Sequence, residues 1–192
     1  MKPILLGLVL LAVLASAVSA DWSWQNPLPT GNPLRSVCFL DNNTGYAVGE
    51  YGALVKTTNG GATWTSQRSG TTNRLTSVQF PLDAQTGYAV GWGGIILRTT
   101  NGGGTWVKLN SGTTNYLSSV QFPVDAQTGY AVGVSGTVLK TTDGGATWVR
   151  QTSGSSYVLS CVHFPVDAQS GYVVGGSDWV GAILKTTDGG AS

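Results

Sequence analysis

One feature constrains this chain more than any other: it repeats itself every 42 residues. Thr44-Gly45-Tyr46-Ala47-Val48-Gly49 recurs from Thr86, from Thr128 and, as Ser-Gly-Tyr-Val-Val-Gly, from Ser170. A second motif, Thr57-Thr58-Asn59-Gly60-Gly61-Ala62-Thr63-Trp64, recurs from Thr99 to Trp106 and from Thr141 to Trp148, and starts again at Thr186. A third lies upstream of both, at 34–39, 75–80, 117–122 and 159–164. Self-similarity at this period means stacked supersecondary units, each burying its faces against its neighbours.

Each unit reads as four short strands. In the second they fall at 75–80, 87–90, 95–98 and 105–108, β-rich runs bounded by turn residues. Pro81 to Gln85 joins strands one and two, Trp92-Gly93-Gly94 joins two and three, and Asn101 to Gly104 makes a tight hairpin between three and four. No run keeps a helical period. Four antiparallel strands in about 42 residues predict an all-β fold, a β-propeller of four-stranded blades. The approximate units are 34–74, 75–116, 117–158 and 159–192. The fourth box breaks off at Ser192, before the Trp that the earlier boxes lead into, so the four repeats are expected to form an incomplete propeller. The rival reading makes 22–26, with Trp22 and Trp24, an outer strand that closes the fourth blade.

The first twenty residues pair Lys2 with an apolar run and end Ala17-Val18-Ser19-Ala20, the pattern of a cleaved signal peptide. The expectation is export, to the periplasm, the thylakoid lumen or the outside, with no membrane insertion after cleavage. Removing Lys2 leaves nine basic and nine acidic residues, the basic ones scattered singly. Nucleic-acid binding is not expected, because it needs clustered positive charge to displace counterions. Cys38 and Cys161 lie 123 residues apart, which leaves a disulfide and two buried free thiols both open.

The Thr-x-(Asn/Asp)-x-Gly-x-Thr-Trp boxes resemble the Asp-box, or bacterial neuraminidase repeat. With the Gly-Tyr-Ala-Val-Gly strand and the Thr-Thr approach to each box, the unit resembles the repeats of the photosystem II stability and assembly factor family. The resemblance covers residues 22–192 and implies a non-catalytic protein that binds membrane-protein subunits on the luminal side, with no cofactor. Asp-boxes also occur on propellers of unrelated activity, so fold is carried over more firmly than function.

The box residues read as architecture. Asn59, Asn101, Asp143 and Asp188 can accept backbone N–H groups within the turn, Gly61, Gly103, Gly145 and Gly190 open backbone conformations closed to other residues, and Trp64, Trp106 and Trp148 pack beside it. Metal binding is the sharper alternative, but two of the four boxes carry neutral Asn where a hard cation wants charge. Another ring, Cys38, Gln79, Gln121 and His163, holds one place in the four first strands, near the propeller axis. Cys161 with His163 is a soft-metal candidate that lacks further ligands; a satisfied polar position asks for less.

Where the copies differ, binding is the better reading. The loops between strands two and three, and those between blades, are expected on one face, called the bottom here, opposite the Asp-boxes. They carry Tyr51, Arg74, Trp92, Tyr116, Tyr157 and Trp179, and aromatic plus Arg side chains on non-repeating loops suit a protein-binding face. A glycan is the alternative ligand, through Trp92 and Trp179. The alternative activity is a sialidase-like glycoside hydrolase, but the arginine cluster and the Arg-Ile-Pro segment that such enzymes share are missing, and Glu50 is the only Glu in the chain.

Overall fold

The computed structural model describes residues 22 and 30–191, so the expected signal peptide (1–20), and all but Trp22 of the closing strand expected at 22–26, lie outside the described residues. The first blade comprises β1 (Leu34–Phe39), β2 (Gly45–Gly49), β3 (Leu54–Thr57) and β4 (Thr65–Ser66). The second comprises β5 (Leu75–Gln79), β6 (Gly87–Gly91), β7 (Ile96–Thr99) and β8 (Val107–Leu109). In the third are β9 (Leu117–Gln121), β10 (Gly129–Gly133), β11 (Thr137–Thr141) and β12 (Val149–Gln151). The fourth holds β13 (Val158–His163), β14 (Gly171–Gly176) and β15 (Gly181–Thr186).

Every sheet is antiparallel with strands in chain order, three of them four-stranded and the last three-stranded among the described residues. This is the blade arrangement of a β-propeller. The first three blades match the expected four strands, and the fourth shows three among the described residues.

Strand composition explains the packing. The Gly-Tyr-Ala-Val-Gly strand is buried along its whole length in the first three blades, each of which packs its Tyr against the blade that follows. Its first position takes glycine because a Cβ on Gly87 would come within 2.5 Å of the Phe80 ring carbons. The buried residues form three clusters, one per blade interface, each built around a Tyr from one blade and a Phe from the next. Tyr46 stacks on Phe80 at 4.0 Å, Tyr88 on Phe122 at 3.8 Å and Tyr130 on Phe164 at 4.0 Å.

Polar staples run between the inner strands. Gln79 Oε1 accepts the Phe122 N–H at 2.7 Å, and Gln121 Oε1 accepts that of Phe164 at 2.6 Å. Ser36, Ser77 and Ser119 accept the N–H groups of Val78, Val120 and Val162 at 3.3, 3.4 and 3.5 Å. The glutamines are therefore satisfied polar residues tying blade to blade. Cys38 and His163 replace them in the outer two blades, and Cys161 stands where the others have Ser. Both thiols are free; Cys38 is half-buried and Cys161 is exposed, not buried.

Candidate functional site

The two faces of the propeller are built differently. On one, each Asp-box turn meets the loop between strands one and two: Gly60, Gly102, Gly144 and Gly189 donate to the carbonyls of Asn43, Gln85, Gln127 and Gln169 at 2.8 to 2.9 Å. Within each of the first three boxes the polar atoms are spent on the turn itself. Thr57 Oγ1 accepts from Gly61 N at 3.0 Å, and Asn59 Oδ1 accepts from Thr57 Oγ1 at 3.0 Å and from Thr63 N at 2.9 Å. Thr99, Asn101, Gly103 and Thr105 repeat the pattern, as do Thr141, Asp143, Gly145 and Thr147. In the fourth box Asp188 accepts from Thr186 and Ala191, and Gly190 N donates to Thr186.

Asn and Asp serve alike because the turn needs one acceptor oxygen, and the second atom reaches the same Thr hydroxyl either way. Asn101 Nδ2 donates to Thr105 Oγ1 at 3.1 Å, whereas Asp143 Oδ2 accepts from Thr147 Oγ1 at 2.6 Å. The Thr147 hydroxyl and N–H and the Thr141 hydroxyl hold the Asp143 carboxyl down at about 2. Trp64, Trp106 and Trp148 each set an edge-on contact with the Phe of their own blade, at 5.9, 6.0 and 6.1 Å. Among the described residues no three His, Cys, Asp or Glu side chains gather into a metal site.

On the opposite face the loops between strands two and three meet the lead-in to strand one. Glu50 N donates to Pro33 O, Trp92 N to Arg74 O and Val134 N to Tyr116 O, at 2.9 to 3.0 Å. Antiparallel pairing dictates this, since Leu34 lies opposite Gly49 and Leu75 opposite Gly91. Gly91 is a glycine because a Cβ there would strike the Arg74 carbonyl. The non-repeating residues are thus brought to one face by the repeating ones.

There they form a connected strip. Arg35 Nη2 lies 2.7 Å from Glu50 Oε1, and Arg74 Nε lies 2.7 and 2.8 Å from the two Glu50 oxygens. Hydrogen bonds from Arg74 first, and Arg35 second, hold the Glu50 carboxyl below its ordinary range. The Arg74 guanidinium then lies over the Trp92 ring at 4.9 Å, and Trp92 meets Tyr116 edge-on at 6.3 Å. Trp92 remains 52% exposed. Beside the strip opens a cavity of about 330 Å³ whose lining draws on the inner strands or lead-ins of all four blades, including Arg35, Arg74, Tyr116, Ser118 and Ser160. The buried Ser118 hydroxyl has no hydrogen-bond partner among the described residues.

Of the six residues expected on the binding face, Arg74, Trp92 and Tyr116 come together in this strip. Tyr51 stands in the Glu50–Gly52 turn, 72% exposed, with φ of 55°. That left-handed conformation is taken by Gly93 and Ser135 in the next two blades and costs a bulky side chain about 1–3 kcal/mol. Tyr157 lies in the lead-in to the fourth blade, its carbonyl accepting from Gly136 N at 2.8 Å. Trp179 projects from the longer fourth loop, 94% exposed, and makes no ring contact among the described residues. Arg35 and Glu50 are the members that the residue-by-residue reading left out of the binding set. The register of the first hairpin would have found them, because it sets the start of β1 beside the turn after β2.

Fold and site together define an Asp-box β-propeller with a structural top face and a cationic-aromatic bottom face. The chain belongs to the family described as photosynthesis system II assembly factor YCF48, whose model matches residues 14–117 and 108–192. Among solved structures it is similar to YCF48 bound to D1 peptide, at 22% identity and a TM-score of 0.63, over 82% of this chain and 54% of that one. YCF48 from Cyanidioschyzon merolae gives 20% identity and a TM-score of 0.57, over 84% and 58%. The GH74 xyloglucanase from Xanthomonas campestris gives 14% and 0.60, over 77% of this chain and 26% of that one. The chain therefore spans little more than half the length of the YCF48 structures it matches. No curated protein matches it.

Proposed function

We propose that this chain is a non-catalytic, exported scaffold whose bottom face holds a segment of a membrane-protein subunit during assembly. The observation that carries the reading is the placement of Arg74, fixed by Glu50 on one side and laid against Trp92 on the other. A guanidinium held in this way loses little freedom on binding, and Trp, Tyr and Arg in a partly desolvated patch are the side chains that dominate protein interfaces. Membership of the YCF48 family and the likeness to YCF48 bound to D1 peptide support a peptide as ligand. Arg35 and Arg74 against one Glu50 leave the strip with one net positive charge, which favours a carboxylate in the bound segment.

Catalysis has less to stand on. A glycosidic general acid needs a raised pKa, whereas the carboxyls of Asp41, Glu50, Asp83, Asp143 and Asp167 are all shifted downward by the hydrogen bonds they accept. The glycan reading is weakened because Arg74 covers one face of the Trp92 ring. The test is calorimetric titration of the purified chain with the D1 peptide, followed in parallel by Trp fluorescence. Saturable heat with quenching is expected; absence of both at millimolar peptide would sink the proposal.

A further inference from the structure

Between the first and second blades, beside the outer strands β4 and β8, opens a groove of about 910 Å³, inside the range of about 300–1,000 Å³ that small-ligand sites occupy. Its walls are the turn after β2 and the linker 66–73 of one blade, with Ile95 and Lys108 of the next, and both blades have four strands. The floor is fixed. Gly52, Ser69 and Ile95 are buried there, and Ser69 Oγ donates to Thr71 O at 3.2 Å and accepts from Thr71 N at 3.4 Å. Asn73 Nδ2 then ties the linker to Trp92 O at 3.0 Å.

The rim, by contrast, is uncommitted. Tyr51, Arg68, Thr72 and Lys108 are exposed, and neither cation makes a hydrogen bond, ion pair or ring contact among the described residues. No Asp or Glu lines the groove, and Glu50, next to Tyr51 in sequence, is spent on Arg35 and Arg74. Arg68 and Lys108 therefore bring two formal positive charges to the groove without a counter-charge.

The repeat separates function from architecture here. Forty-two residues on, Tyr51 becomes Gly93 and Arg68 becomes Asn110, beside a groove of about 400 Å³. In the third blade the two positions hold Ser135 and Thr152, and Arg150, the counterpart of Lys108, spends its guanidinium on Ser135 O at 3.2 Å and Thr137 Oγ1 at 3.5 Å. The fold thus needs neither an aromatic ring at the turn nor a guanidinium in the linker. Tyr51 also keeps the left-handed conformation, φ 55°, that the second blade gives to glycine, and strain held at an exposed side chain points to a use for that side chain.

We propose that this groove binds an acidic oligosaccharide, one whose sugar rings carry carboxylate or sulfate. Arg68 and Lys108 supply charge-assisted donors, and the Tyr51 ring offers a flat apolar surface with a polar tip to a sugar face. The Ser66 and Thr72 hydroxyls and the Gln67 amide suit a ligand covered in hydroxyl groups. A peptide is served less well: Ile95, the one aliphatic side chain in the lining, is only 2% exposed, which leaves no pocket for apolar side chains. The groove shares no residue with the Arg35–Glu50–Arg74–Trp92 strip and does not rest on the peptide-binding proposal.

The test is calorimetric titration of the purified chain with tetragalacturonate, sulfated maltotetraose, neutral maltotetraose and hexaglutamate. Saturable binding of at least one acidic saccharide is expected, about tenfold or more tighter than the neutral one and weakened by salt. Arg68→Asn and Tyr51→Gly install the second blade's own residues, so both should keep the parent far-ultraviolet spectrum, and each should weaken the acidic saccharide about tenfold. Trp92→Ala should leave that affinity unchanged, which keeps this site apart from the strip. Failure of both acidic saccharides to bind overturns the proposal, as does binding that Arg68→Asn and Tyr51→Gly leave unaltered. Hexaglutamate held as tightly as the acidic saccharides would overturn it too, by making the occupant an acidic peptide.

Discussion

The Tyr88 hydroxyl lies 3.0 Å from the carbonyl of Gly144, fifty-six residues further along the chain, and its ring stacks on Phe122. One side chain therefore ties the second strand of one blade to the Asp-box of the next, through an apolar and a polar contact at once. Burial raises the pKa of this phenol, as expected for a group that must stay protonated to donate.

Tyr88→Phe keeps the stack and loses the hydroxyl that the Gly144 and Ala126 carbonyls share, each at 3.0 Å. The expected loss is about 1–2 kcal/mol of unfolding free energy by urea titration. Tyr88→Ala also empties the joint and should cost about 3–5 kcal/mol. Equal losses in the two variants would show that the hydroxyl, not the ring, sets the energy of the joint.

Tyr130 makes the same joint, and burial pushes its phenol up to about 12 from an ordinary 10.0. Because the folded value is the higher one, the stabilisation is complete below pH 10 and is lost as pH rises towards 12. Ultraviolet titration should show a late phenol ionisation, together with unfolding, that is missing from Tyr130→Phe. A Tyr130→Phe chain whose alkaline unfolding midpoint equals that of the parent would contradict this.

The third Asp-box is the mirror case in pH. The Asp143 carboxyl is held at about 2 against an ordinary 3.8, so its contribution is present above pH 3.8 and lost as pH falls through 2. Asp143→Asn copies the first two boxes, where Asn59 and Asn101 make the same turn. That variant should unfold with a shallower pH dependence between about 4 and 2, while its stability at pH 7 changes little, because the Asn oxygen accepts the same turn hydrogen bonds. A large loss at pH 7 would mean that charge, not the acceptor oxygen, holds the turn.

Thr141→Val tests the other half of that turn. The Thr141 hydroxyl accepts from Gly145 N at 2.9 Å, and Gly145 is buried. Removing it orphans a buried N–H, for an expected cost of about 1–3 kcal/mol by thermal or urea unfolding. The same change at exposed Thr147 should cost less.

How much of this was legible in the residues follows from what repeats. The blades, their strand order and the opposition of the two faces are written four times over, and strand ends such as Leu75 and Gly87 fall where the motifs place them. The box turns were legible for the same reason, because a side-chain acceptor followed by two glycines has few other uses. The joint was not. Tyr46, Tyr88 and Tyr130 looked like strand residues, and only the placement of one blade against the next shows a hydroxyl reaching a box glycine. The Arg35–Glu50–Arg74 cluster escaped for a related cause: Arg35 and Arg74 occupy different places in the repeat, and it takes two blades side by side to bring both to one carboxylate.

Glu50→Gln separates positioning from charge in that cluster. It frees Arg35 and Arg74 from their counter-charge, so binding of an anionic peptide should become more salt-dependent while Trp92 keeps its environment. An unchanged salt slope would place the peptide's charge away from this pair.

The most direct test of the bottom face as the binding surface compares D1-peptide affinity across three variants by calorimetry. Arg74→Ala and Trp92→Ala should each weaken binding about tenfold or more, the range of an interface anchor. Leu82→Ala, on the exposed loop of the Asp-box face, should leave it unchanged. Loss at Leu82 with full affinity in the other two would put the binding surface on the opposite side of the propeller and contradict the account.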